Sequence, residues 1–91
     1  MNLSDKVTIP AQVMAREVGN ETVILDLANG TYYGLDPVGA RIWQLISNGD
    51  ALSSISETLF REFEVTREVL EQDINHLVRE LADKGLIALS S

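Results

Sequence analysis

From residue 22 to residue 35 the apolar positions come in short, tightly spaced runs broken by turn residues; from residue 38 onward they recur every third or fourth position. The first regime is that of strands and the second that of helices. Val13-Met14-Ala15-Arg16-Glu17-Val18 reads as a first strand with imperfect alternation, and Gly19-Asn20 as a turn. Thr22-Val23-Ile24-Leu25-Asp26-Leu27 is rich in β-branched and aliphatic residues, and its alternate positions Val23, Leu25 and Leu27 share one face. Asn29-Gly30 follows, a hairpin signal because both residues tolerate the positive φ of a type I′ turn. Thr31-Tyr32-Tyr33-Gly34-Leu35 completes an antiparallel meander of three strands.

The period changes at Asp36-Pro37, an N-cap followed by a proline at the first helical position, where no N–H is needed. Val38, Ile42, Leu45 and Ile46 form the apolar stripe of this first helix, Trp43 adds a large apolar body beside it, and Asn48-Gly49 ends it. A second helix spans about 51–63 on Leu52, Ile55, Leu59 and Phe63, with either Asp50 or a Ser54/Glu57 capping box at its start. The third helix has Thr66 as N-cap, Glu68 at its positive end, and Leu70, Ile74, Leu77 and Leu81 as its stripe. Val65 is spaced to staple onto Leu70, and Lys84 suits the helix's negative end. Gly85 with Leu86 reads as a Schellman stop, and Leu86 to Leu89 as an extended tail closing the core. Strands segregated from helices make the fold class α+β. Residues 1–10, with Pro10 at their end, read as an N-terminal arm, and 11–91 as a single domain.

Ninety-one residues hold one small core. Apolar residues at 45% and charged residues at 23% fit a folded chain. The formal charge of −7 opposes phosphate binding, which needs clustered Lys and Arg. The absence of Cys excludes disulfides, zinc fingers and thiol chemistry, and one histidine, His76, cannot build a metal cluster. No nucleophile elbow, catalytic triad or phosphate-cradling Gly-Lys-Ser/Thr loop is present. No apolar run is long enough to span a membrane and the N-terminus does not read as a secretory signal, so the expected compartment is the cytoplasm. No cofactor or metal is implied.

The run Gly30-Thr31-Tyr32-Tyr33-Gly34-Leu35-Asp36-Pro37-Val38-Gly39-Ala40-Arg41-Ile42-Trp43-Gln44-Leu45 resembles the PqqD-like family, the RiPP recognition elements of ribosomally made, post-translationally modified peptides. Glu62-Phe63-Glu64-Val65, the helix ending Leu81-Ala82-Asp83-Lys84 and Gly85-Leu86-Ile87 continue the likeness, which covers about residues 12–89. The resemblance implies a winged-helix-like fold, a three-stranded antiparallel sheet packed on three helices. It implies a non-catalytic adaptor that binds the leader segment of a precursor peptide and presents the attached segment to a modifying enzyme or leader protease. Lasso-type and pyrroloquinoline-quinone-type pathways use such proteins. It also implies that the leader lies extended beside the third strand, in a groove bounded by the third helix.

A physical account supports that groove. The last strand of a meander is a candidate edge, and an edge strand can template another. The first strand is the other candidate edge, and the resemblance chooses between them. The strand side is assigned to Thr31, Tyr32, Tyr33, Gly34 and Leu35, with Gly34 allowing close backbone approach. On the helix, Val69, Asp73, His76 and Glu80 share a line beside the core stripe, and Val69, Asp73, His76 and Leu77 are assigned to the groove. One of the adjacent tyrosines, Tyr32 or Tyr33, belongs to the core, as does Trp43; His76 belongs to the rim. The competing reading is a winged-helix DNA-binding regulator, but residues 66–84 carry three basic residues against five acids. The chain is expected to act as a monomer without nucleic acid or membrane partners, although free sheet edges permit pairing.

Overall fold

The structure is a computed structural model and describes residues 6–19 and 21–90. Its elements are β1 (Lys6–Thr8), β2 (Val13–Val18), β3 (Glu21–Asp26), β4 (Tyr32–Leu35), α1 (Pro37–Ser47), α2 (Leu52–Glu62), α3 (Arg67–Asp83) and β5 (Ala88–Ser90). The main sheet is antiparallel in the order β2-β3-β4, and the three helices follow it in the chain. The α+β architecture expected from the sequence is therefore present. Lys6–Thr8, expected within an unpaired arm, instead pairs antiparallel with Ala88–Ser90, and Met1 to Asp5 lie outside the described residues. Among the described residues no helix is long and apolar enough to cross a membrane.

Local chemistry sets the helix ends. The Asp36 carboxylate accepts the Gly39 N–H at 2.7 Å, and the Thr66 hydroxyl accepts the Val69 N–H at 3.2 Å. Helix α1 ends with Gly49 at φ +88°, its N–H donating to Ile46, while the Asp50 N–H donates to Leu45. Helix α3 ends in the same way: Gly85 has φ +73°, and the Leu86 N–H donates to Leu81. Both are Schellman stops, which need a residue tolerant of positive φ. The start of α2 differs from expectation. Its N-cap is Ala51, with no side-chain hydrogen bond, so neither Asp50 nor Ser54 caps it. Val65, the expected staple residue, remains exposed.

The core joins Ile24 and Leu35 of the sheet to Ile42, Trp43, Leu45 and Ile46 of α1. Leu52, Ile55 and Leu59 of α2, Leu70, Ile74, Val78 and Leu81 of α3, and Leu86 and Ile87 of the tail complete it. Burying each large aliphatic side chain contributes about 1.5–3 kcal/mol. Strand β3 turns a different face inward than its aliphatic alternation suggested. Ile24 and Asp26 are buried, at 0% and 2% exposure, while Leu27 is 62% exposed. The burial of Asp26 is compensated: its Oδ1 accepts the Ala28 N–H at 2.8 Å. Val23 and Leu25 lie on the opposite side, Leu25 between its cross-strand neighbours Met14 and Tyr32 and Val23 between Arg16 and Gly34.

The β3–β4 connection also departs from the expected type I′ turn, which needs two residues at positive φ. Gly30 has φ +78°, but among the described residues no other residue type has positive φ, so Asn29 does not adopt that geometry. Instead the Asp26 N–H donates to Thr31 at 2.8 Å and the Gly30 N–H donates to Asp26 at 2.9 Å, closing a longer loop over the buried Asp26 carboxylate. At the β2–β3 turn Gly19 has φ +65°; Asn20, the other residue of the expected turn, lies outside the described residues.

Candidate functional site

Among the described residues strand β4 pairs with β3 on one side only. Its register, Ile24 with Tyr33 and Thr22 with Leu35, decides which backbone groups are free. The Asp26–Thr31 hydrogen bond fixes the phase, because hydrogen-bonded and non-hydrogen-bonded pairs alternate along an antiparallel ladder. Tyr33 and Leu35 therefore direct their N–H and C=O groups to β3, while those of Tyr32 and Gly34 face outward. An added strand would find its partners at those two residues.

Beside this edge lies a cleft of about 380 Å³. Tyr33, Gly34, Leu35 and Asp36 line one wall, Asp73, His76 and Leu77 of α3 the other, and Val38, Gly39 and Ile42 of α1 complete the lining. Leu35, Ile42, Val38 and Leu77 give it an apolar interior, and the carboxylates of Asp36 and Asp73 stand within the same lining. The Tyr33 hydroxyl donates to Glu80 Oε2 at 2.5 Å, tying β4 to α3 across 47 residues of sequence. His76 Nε2 stands 3.6 Å from the same oxygen. The hydrogen bond to the Glu80 carboxylate raises the pKa of the Tyr33 phenol, with burial and the charges of Glu80 and Asp36 acting in the same direction. Lys84 lies over the Tyr33 ring, 5.9 Å from its centroid.

Six of the nine residues assigned from the sequence line the cleft: Tyr33, Gly34, Leu35, Asp73, His76 and Leu77. The other three do not. Thr31 precedes the strand, Tyr32 points its side chain away from the helices and is 72% exposed, and Val69 lies a turn before Asp73. Of the two tyrosines Tyr33 is thus the inward one, and Trp43 is buried in the core as expected. The contribution of α1 was missed. Val38 and Ile42, one helical turn apart, were read only as core stripe, yet they also line the cleft. Gly39 sits where a Cβ would come within 3.2 Å of both Asp36 Oδ1 and Leu35 Cδ2, so its small size keeps the strand-to-helix corner tight. Gly34 is different: a Cβ there would meet nothing within 4 Å, so the fold itself does not require glycine at this position. Among the described residues no group of His, Asp and Glu is arranged to hold a metal ion.

The sequence pattern of the family described as coenzyme PQQ synthesis protein D (PqqD) matches residues 21–87. The chain belongs to the PqqD family. The match takes in β3, β4, all three helices and every lining residue of the cleft. Two solved structures are similar over nearly the full chain. TbiB1 in complex with the TbiA(beta) leader peptide is 38% identical, covers 88% of this chain and 93% of its own, and has a TM-score of 0.81. A lasso peptide synthetase B1 complexed with the leader peptide is 26% identical, covers 91% of this chain and 98% of its own, and has a TM-score of 0.83. A search of curated proteins gave no match.

Proposed function

We propose that this PqqD-family chain is a non-catalytic adaptor that binds the leader segment of a ribosomally made precursor peptide. The observation that carries the proposal is the unpaired β4 edge beside an apolar cleft, in a chain 38% identical to a protein solved with a leader peptide. The leader adds to β4 as a further strand. Its main chain bonds to Tyr32 and Gly34, and alternate side chains enter the cleft formed with Leu35, Asp73, His76 and Leu77. Tyr33 acts from within the fold, holding β4 against α3 through Glu80.

The adaptor role divides labour between two proteins. Main-chain pairing gives affinity, the cleft gives selectivity, and the segment beyond the leader stays free for a separate modifying enzyme or leader protease. The proposed pathway is of the lasso type, and the proposed compartment is the cytoplasm. The DNA-binding alternative gains no support, since α3 carries an excess of acids where phosphate contact needs cations.

The test is to map amide chemical shifts while adding synthetic peptides encoded by short reading frames adjacent to this chain's gene. Micromolar or tighter binding by one peptide is expected, with perturbations concentrated at 32–36 and 73–77. Binding that leaves β4 unperturbed refutes strand addition at this edge.

A further inference from the structure

The charge along the cleft is uneven. At the end of β4 nearest α1, the first cleft continues into a second of about 300 Å³, lined by Glu21, Gly34, Leu35, Asp36 and Pro37. The two share Gly34, Leu35 and Asp36, so a strand lying along β4 would run over both. Among the described residues, Glu21, Asp36 and Asp73 are the carboxylates of this surface, and no Lys or Arg lines either part. Among the described residues none of the three makes an ion pair. Asp36 Oδ1 is engaged with the Gly39 N–H, which leaves its second oxygen for another donor.

The opposite end is balanced. There Glu80 accepts the Tyr33 hydroxyl, and Lys84, over the Tyr33 ring, supplies a positive charge. A peptide extended along β4 therefore passes from a charge-balanced end to an acidic one. The chain as a whole carries −7, so no wider positive field offsets the acidic end.

We infer that the segment bound at this groove is an extended peptide carrying a Lys or Arg at the end that lies over Leu35 and Asp36. Its cation is received by the carboxylates of Asp36 and Asp73, which stand in the same lining. This inference rests on the adaptor reading and specifies its ligand. Apolar residues of the peptide fill the cleft over Ile42 and Leu77, and the basic residue fixes which way along β4 the strand runs. Electrostatic complementarity of this kind gives register and partner discrimination more than bulk affinity.

The experiment selects binders from random peptides displayed on phage and sorts them by loss of binding to Gly34→Pro, which blocks the β4 edge. Among the sensitive binders, a Lys or Arg is expected at a fixed distance from the apolar anchors. Replacing it by norleucine should weaken binding about two- to fivefold at low ionic strength, with the loss shrinking in high salt. Asp73→Asn, and Asp36→Asn, which keeps the cap, should each reduce that preference. Sensitive binders with no basic residue, or an unchanged Kd for norleucine, overturn this inference and leave the adaptor reading standing. An absence of Gly34→Pro-sensitive binders overturns both.

Discussion

Replacing Gly34 by proline tests strand addition at a single atom. The Gly34 N–H faces away from β3, so its removal costs no ladder bond in the free protein. Proline is tolerated at an edge position whose N–H faces solvent, and the preceding Tyr33 is already extended. The folded state should change by less than about 1 kcal/mol. With a leader strand in place the substitution removes one main-chain donor and leaves a carbonyl of the leader unpaired against the pyrrolidine ring. Leaving such a group unsatisfied costs about 1–3 kcal/mol. That corresponds to a weakening of roughly 5- to 150-fold. Gly34→Val is the control, because a Cβ at this position meets open space and the N–H is kept. It keeps the donor and should bind more tightly than Gly34→Pro. The assay is fluorescence anisotropy of a labelled leader peptide, with thermal unfolding to show that both variants fold. A folded Gly34→Pro variant that binds like the parent refutes the proposed pairing.

Three further predictions concern the frame that positions the groove. Asp26→Ala leaves the Ala28 N–H without its buried acceptor and should cost about 1–3 kcal/mol in urea unfolding. Tyr33→Phe removes the bond to Glu80 and should cost about 1 kcal/mol at neutral pH, allowing for solvent screening. Because the folded state raises this phenol above 10.0, that stability is fully present below pH 10 and is lost as pH rises through the raised value. The two proteins should thus converge in alkali, and a constant difference would exclude the phenol–carboxylate bond as its cause. The Arg41 guanidinium holds the Glu62 carboxyl below its ordinary 4.5 through hydrogen bonds at 2.9 and 2.7 Å. The resulting stability is present above pH 4.5 and lost as pH falls through the lowered value, so Arg41→Gln should flatten the acid limb of a pH–stability profile.

Several of these residues announced themselves in the sequence, and the reason is their range of action. Asp36-Pro37, Asn48-Gly49, Thr66 and Gly85-Leu86 operate within one helical turn, and the structure shows caps and stops at those positions. The helical stripes were equally legible, since an apolar repeat of three to four admits one reading. Local chemistry did not settle β3, where the three consecutive aliphatic residues Val23, Ile24 and Leu25 leave apolar side chains on both faces. The packing of α1 against that strand selected the face of Ile24, and the buried Asp26 was acceptable only because the loop supplied a donor.

The groove divides in the same way. The family resemblance picked its strand and its helix, and helical spacing picked Asp73, His76 and Leu77 along α3. The entry of Val38, Gly39 and Ile42 depends on the angle at which α1 leaves β4, which no spacing encodes. The bond from Tyr33 to Glu80 depends on how α3 crosses the sheet. Sequence pattern alone placed β2 to β4 and the three helices in order, the caps of α1 and α3, and the net charge. The tertiary structure decided which sheet face was covered, that Lys6–Thr8 joins Ala88–Ser90, and where the carboxylates gather. Those outcomes depend on contacts between residues far apart in the chain, whose energies exist only once the layers have met.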